Sequence, residues 1–199
     1  MVLGLFDAGA RSERPVTIHD RVATLPNAVS VLRLLGLPVF VWLVVGAGRY
    51  DVAFWLLVAI GATDWLDGYL ARRLDQASRL GVVMDPLIDR ALLVTAALTL
   101  LVEGLVPLAL VAAVVLRDVV LVAASFALFG AIPPIPVSRI GKFATASLLA
   151  AFPSFLLAAI AWAGSDVFDV VAWALAMIGV VAYYVAAGQY AVAARRLRR

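Results

Sequence analysis

Four aspartates lie close together in the first half of an otherwise apolar chain: Asp64, Asp67, Asp85 and Asp89. The first two are three residues apart and the last two are four apart, so each pair shares one face of a helix. A carboxylate at the centre of a membrane helix costs about 2.5–3.5 kcal/mol on insertion scales, and four neighbouring carboxylates also repel one another. Bound divalent cations would offset both penalties.

The ligand chemistry predicts which cations these would be. A site built only from carboxylate oxygens selects hard ions such as Mg²⁺ or Mn²⁺. Zinc is not expected, because the chain has no cysteine and its single histidine, His19, stands alone in the N-terminal segment. The alternative is that the aspartates are buried acids paired with arginines, the candidates being Arg33, Arg72, Arg79, Arg90 and Arg117. The regular spacing of all four acids favours the cation site.

The residues between the acids suit a pyrophosphate. Gly68 leaves room for a ligand to approach the backbone directly after Asp67, and Ala71 is also small. Arg72 lies one turn from Gly68 and offers a planar guanidinium for phosphate oxygens. Enzymes that transfer phosphoryl groups commonly bind the phosphates with two metal ions and an arginine. Alone, Gly68 or Gly81 could equally serve helix packing in a membrane.

The elements that carry these residues are predicted to be transmembrane helices. The chain has 199 residues, of which 65% are hydrophobic and 15% charged, whereas a soluble domain is about half apolar and a quarter charged. A spanning helix needs about 20 apolar residues, and only helices or closed barrels satisfy the backbone in lipid. We therefore expect an all-α integral membrane bundle of six helices, at 26–45, 52–70, 82–101, 106–129, 143–163 and 168–187.

The basic residues predict how the bundle is oriented. They concentrate before the first span, between spans two and three, between spans four and five, and after span six. Because cytoplasmic loops are enriched in Lys and Arg, both termini and the aspartates should face the cytoplasm. Residues 1–24 have no apolar core typical of a signal peptide and are expected to form a cytosolic or interfacial arm, with a disordered tail as the alternative. Residues 25–199 would be the membrane domain.

The segment from Asp64 to Asp89 reads D-x2-D-G-x2-A-R-x8-G-x3-D-x3-D. It resembles the signature of the CDP-alcohol phosphatidyltransferase family, and every fixed position matches. The resemblance implies transfer of a phosphatidyl group from CDP-diacylglycerol to an alcohol, with release of CMP. It also implies two divalent ions, a homodimer and no nucleic-acid partner.

The resemblance implies roles for individual residues. Asp89 would be the general base that deprotonates the acceptor hydroxyl, although spacing alone leaves Asp85 open for this role. The metal ligands would be Asp64, Asp67 and Asp85, with Asp89 contributing. The residues that bind the CDP-lipid would be Asp64, Gly68, Ala71, Arg72 and Gly81.

Other segments bear on the acceptor. Leu25-Pro26-Asn27 with Arg33, Arg117-Asp118 and Ile140-Gly141-Lys142 resemble both phosphatidylglycerophosphate synthases and bacterial cardiolipin synthases of this family. The stretches 141–145 and 151–153 are more similar to actinobacterial cardiolipin synthases, which favours phosphatidylglycerol as acceptor and a bacterial inner membrane as location. Glycerol 3-phosphate is the first alternative and inositol phosphate the second.

Three basic residues are predicted to bind the phosphate of that acceptor: Arg117, Arg139 and Lys142. The alternative for Arg139 and Lys142 is ordinary cytoplasmic flanking of a span. Arg117 interrupts an apolar span, so pairing with Asp118 or with a motif acid is its alternative role.

Three other classes of protein fit this sequence less well than the enzyme does. A membrane prenyltransferase would carry two distant aspartate motifs on about nine spans. A cation-coupled transporter would be expected to show an inverted repeat and acids near mid-span. An interaction protein built on the tryptophan-rich helices would not need the fixed spacing, and its tryptophans are explained by interfacial anchoring.

Overall fold

The computed structural model describes residues 25–74, 79–129, 138–160, 162 and 164–197. Side chains are described over a smaller part, namely 28–63, 87–120, 122–123, 138–160, 162 and 164–192. The predicted N-terminal arm at residues 1–24 lies outside the described residues.

Six α-helices and one π-helical turn make up the described chain. The helices are α1 (Leu25–Val41), α2 (Tyr50–Leu74), α3 (Arg79–Val102), α4 (Leu108–Phe129), α5 (Arg139–Ala159) and α6 (Ser165–Leu197). Each predicted span falls mainly on one of them, so the predicted all-α bundle of six helices is confirmed. Within the described residues, three segments are long and apolar enough to cross a membrane: Ala28–Gly46, Arg139–Ala159 and Ser165–Val192.

Two glycines with positive φ end the first and third helices at the same end of the bundle. Gly48 (φ 61°) follows a π-helical turn at Trp42–Gly46. Gly104 (φ 70°) closes α3 in a Schellman arrangement, in which the N–H of Leu105 donates to the carbonyl of Leu100 over 2.9 Å. The hydroxyl of Tyr50, at the start of α2, donates to Glu103 over 2.7 Å. The opposite end of α2 and α3 therefore carries the aspartate motif.

The interior is apolar and centred on α5. Ten residues of this helix are buried, and its Leu148 and Phe152 pack in one cluster with Phe40, Leu57 and Leu100. Many large apolar side chains lie instead on the outer surface, among them Leu32, Trp55, Val102, Leu108 and Val170. Such a surface is unfavourable in water and suits lipid.

Small residues let α6 approach α5 closely. Ala172, Ala176 and Ala186 of α6 are buried, and Gly179 lies on the same face at helical spacing. A Cβ added at Gly179 would lie 2.8 Å from Leu148 Cγ and 3.2 Å from the Leu148 backbone nitrogen. Close contact through small residues is a common mode of helix association in membranes.

Gly179→Ala is expected to destabilise the bundle. The added methyl group forces Leu148 or the α5 backbone to move, and overpacking of this kind costs about 1–3 kcal/mol. Gly188→Ala is the matched control, because a Cβ at Gly188 meets no other packed element within 4 Å in the part of the chain that the structure describes. Thermal unfolding in detergent should show a lower midpoint for Gly179→Ala and an unchanged or higher one for Gly188→Ala. Equal midpoints would contradict the tight α5–α6 contact.

Candidate active site

The motif residues lie on the last turns of α2 and the first turns of α3. Asp64 lies ten residues before the end of α2, and Asp89 lies ten residues after the start of α3. At 1.5 Å per residue, both are about 15 Å from the connection between the helices. Asp67 and Asp85 are correspondingly about 10 Å from it. The two helices thus carry their acids at matching depths.

Most motif side chains lie outside the part of the chain that the structure describes. This holds for Asp64, Asp67, Gly68, Ala71, Arg72, Gly81 and Asp85. Of the four motif aspartates, Asp89 has a described side chain. The geometry of the site is therefore given by the contacts of Asp89 and its neighbours.

Asp89 forms an ion pair with Arg33 of α1. Arg33 Nη1 donates to Asp89 Oδ1 over 3.1 Å. The Arg33 side chain is 0% exposed, whereas the Asp89 side chain is 43% exposed. A buried guanidinium without a carboxylate would be strongly unfavourable in an apolar helix, so the pair fixes α1 to α3 at this point. One pairing from the alternative interpretation of the aspartates is therefore present, and it leaves Asp89 accessible.

A second polar cluster joins α3, α4 and α6 through Arg90, the residue after Asp89. Its centre is the carboxylate of Asp118, which accepts a hydrogen bond from Tyr183 over 2.6 Å and from Arg117 Nη1 over 2.8 Å. Arg90 Nη1 contacts both Asp118 and the Tyr183 hydroxyl. Arg90 follows Asp89 directly on α3, so the cluster lies at the depth of the predicted base, on the side of α3 that faces α4 and α6.

The three predicted acceptor-binding residues have different surroundings. Arg117 is largely buried, at 9% side-chain exposure, and its guanidinium stacks 3.9 Å above the Tyr183 ring. Its Nε is buried without a hydrogen-bond partner among the described residues. Arg139 and Lys142 are exposed on the first turn of α5, which is preceded by Ser138, whose hydroxyl accepts a hydrogen bond from the Gly141 N–H.

Sequence reasoning did not assign a role to Tyr183. The available signal was its position on α6, where it continues the buried face of Ala176, Gly179 and Ala186. A phenol buried in an apolar helix needs a polar partner. Its partner, Asp118, is 65 residues away in sequence.

An apolar groove of about 380 Å³ lies between α1 and α2 and reaches Arg33. It is lined by Val29, Leu32, Leu35, Gly36, Val39, Leu56, Ala59, Ile60 and Thr63. Hydrocarbon is the material that such a lining accommodates best, so an apolar groove extends as far as Arg33.

Comparison with known proteins bears on this arrangement. The sequence model of the CDP-alcohol phosphatidyltransferase family matches residues 23–188. The cardiolipin synthase (CMP-forming) of Streptomyces coelicolor is 37% identical over 187 residues, covering 90% of this chain and 86% of the relative. A Mycobacterium tuberculosis protein described as a candidate cardiolipin synthase is 37% identical over 179 residues, covering 89% and 86%. A CDP-diacylglycerol–glycerol-3-phosphate 3-phosphatidyltransferase of Pseudomonas fluorescens is 42% identical over 104 residues, covering 50% and 53%.

Proposed function

This chain belongs to the CDP-alcohol phosphatidyltransferase family, and we propose that it transfers a phosphatidyl group from CDP-diacylglycerol to phosphatidylglycerol, forming cardiolipin and CMP. The chain is a multi-pass membrane transferase. The observation that carries the proposal is the half-exposed Asp89 carboxylate, held by a buried arginine at the depth of Asp64 on the neighbouring helix. Similarity to cardiolipin synthases over most of the chain supports phosphatidylglycerol as the acceptor.

The donor set fits two Mg²⁺ or Mn²⁺ ions. It consists only of carboxylates, which hard divalent cations prefer, and the acids of α2 and α3 lie at matching distances from the helix connection. Asp64, Asp67 and Asp85 would hold the ions, with Asp89 contributing. When bound, the ions supply positive charge to the pyrophosphate of the CDP-lipid.

The protein's own groups can then perform the transfer. Asp89 accepts the proton of the acceptor hydroxyl, whose oxygen bonds to the phosphatidyl phosphorus while the bond to CMP breaks. The ion pair with Arg33 orients the carboxylate. Arg72 would contact the phosphates of the nucleotide. Gly68, Ala71 and Gly81 would leave space for the nucleotide.

The lipid parts of the substrates also find suitable surroundings. The apolar groove beside Arg33 suits one acyl chain of the CDP-lipid. Arg139 and Lys142 would provide positive charge at the acceptor phosphate, and Arg117 would add to the positive field from its buried position beside Asp118. The enzyme would act as a homodimer in a bacterial inner membrane, with its active site and both termini on the cytoplasmic side.

Glycerol 3-phosphate is the second candidate acceptor. The relative from Pseudomonas fluorescens carries an activity with that substrate in its name and matches half of this chain. Inositol phosphate ranks behind both.

Purified protein in detergent with Mg²⁺ and CDP-diacylglycerol is expected to release CMP when phosphatidylglycerol is added. Glycerol 3-phosphate and inositol phosphate, supplied in parallel, should elicit slower release. CMP is quantified by chromatography and the lipid product by mass spectrometry. Faster release with glycerol 3-phosphate would reassign the acceptor, and no release with any alcohol would refute the proposed transfer.

A further inference from the structure

The cluster centred on Asp118 has more positive than negative charge. Arg90 and Arg117 each contribute one positive charge, Asp118 contributes one negative charge, and the phenol of Tyr183 is neutral. The neighbouring ion pair of Arg33 and Asp89 contributes one charge of each sign. Within the described residues, the cluster therefore carries one positive charge in excess at a depth where an unbalanced charge is unfavourable.

Of the two arginines, Arg90 is the one whose positive charge is accessible to a ligand. Arg117 is 9% exposed and packs against the Tyr183 ring behind Asp118. The Arg90 side chain is 51% exposed, although its Nη1 is engaged by Asp118 and Tyr183. Arg90 thus has its guanidinium fixed on one side and accessible on the other. A fixed, planar guanidinium is well suited to a phosphate oxygen pair.

The position of Arg90 relates this charge to the reaction. It follows Asp89 directly on α3, so the two Cα atoms are about 3.8 Å apart and the two side chains diverge by about 100° around the helix. Both side chains are about half exposed, so a lipid acceptor lying along α3 can present its hydroxyl to Asp89 and its phosphate to Arg90. A phosphodiester carries one negative charge, which matches the excess of the cluster.

We propose that Arg90 binds the phosphodiester of the lipid acceptor, and that Asp118 and Tyr183 are positioning residues that hold its guanidinium in place. Arg117 compensates the charge of Asp118 from the buried side, so that Arg90 remains available to the ligand. This inference rests on the proposed function, because it takes the acceptor to be a phospholipid.

The test compares Arg90→Gln, Arg90→Lys and Tyr183→Phe in the CMP-release assay with mixed micelles. Arg90→Gln is expected to raise KM for phosphatidylglycerol about 10-fold or more, since a charge-assisted hydrogen bond is lost. Arg90→Lys should show a smaller increase, because it keeps the charge and loses the planar fork. Tyr183→Phe should raise the same KM about 3-fold or more. KM for CDP-diacylglycerol should remain within about twofold of wild type in all three.

Two matched controls separate this role from a general effect. Tyr184→Phe removes the neighbouring hydroxyl, which donates to the Ala113 carbonyl on the exposed side of α6. Arg49→Gln removes an exposed arginine paired with Asp51 at the opposite end of the bundle. Both should keep wild-type KM values, and thermal unfolding should verify that every variant is folded.

The outcomes distinguish this inference from the function it rests on. Wild-type protein that releases no CMP with any acceptor would remove the proposed function. An active wild type with unchanged acceptor KM in Arg90→Gln and Tyr183→Phe would overturn the role of Arg90 alone. A parallel rise in KM for CDP-diacylglycerol would also overturn it, because Arg90 would then serve the donor. If Arg90→Gln does not fold, the acceptor KM of Tyr183→Phe tests the inference instead, because this variant keeps the buried aromatic ring and loses only the hydroxyl.

Discussion

Asp89→Asn is expected to lower kcat by about 10²- to 10⁴-fold, the range typical of a lost general base. The carboxamide keeps the shape of the side chain and can still accept a hydrogen bond from Arg33 through its oxygen. It cannot take up the proton of the acceptor hydroxyl at neutral pH. Binding of CMP or CDP-diacylglycerol should therefore remain close to wild type. Turnover is measured as CMP release, and nucleotide binding by calorimetry.

The structure offers a control for the loss of an aspartate charge. Asp51→Asn also removes a carboxylate paired with an arginine, but both partners are exposed at the far end of the bundle. It should leave turnover unchanged. Near-normal turnover in Asp89→Asn would contradict its role as general base and favour Asp85, the alternative base that the motif spacing allows. Equal losses of activity and of folded protein would indicate instead that the Arg33 pair serves stability.

The helices could be predicted because apolar runs of about 20 residues have few alternatives in lipid. Their ends were less predictable, because they depend on single polar contacts. α5 begins at Arg139 rather than at residue 143, since Ser138 caps the Gly141 N–H. α6 continues to Leu197, ten residues past the predicted end, because a helix can leave the apolar layer while its backbone remains hydrogen-bonded. Hydropathy marks only the part that lies in lipid.

The candidate site, like the helices, could be predicted only in part. Asp89 could be found because its spacing to the other acids is local. Its partner could not be chosen from five candidate arginines, since Arg33 is 56 residues away and only packing of α1 against α3 selects it. The link between Arg90 and Tyr183 spans 93 residues. No local pattern marks Tyr183, whose role depends on α3, α4 and α6 meeting at one depth.

Removal of divalent cations is expected to abolish CMP release. Four carboxylates facing a pyrophosphate would concentrate negative charge in a region of low dielectric, where like charges repel strongly. Divalent cations held by the carboxylates would turn this repulsion into attraction. The motif itself offers only the single positive charge of Arg72 at its fixed positions. Chelation with EDTA should therefore reduce activity to background, and added Mg²⁺ or Mn²⁺ should restore it.

The role of the motif acids in holding those cations can be tested without activity. With CMP present, Mg²⁺ should raise the thermal midpoint of the wild-type protein, because a ligand that binds only the folded state stabilises it. Asp67→Asn should lose most of this Mg²⁺-dependent rise. Asp169→Asn, an exposed aspartate at the opposite end of the bundle on α6, should keep it. Full activity in EDTA would contradict metal dependence, whereas an unchanged Mg²⁺ response in Asp67→Asn would place the ions away from the motif.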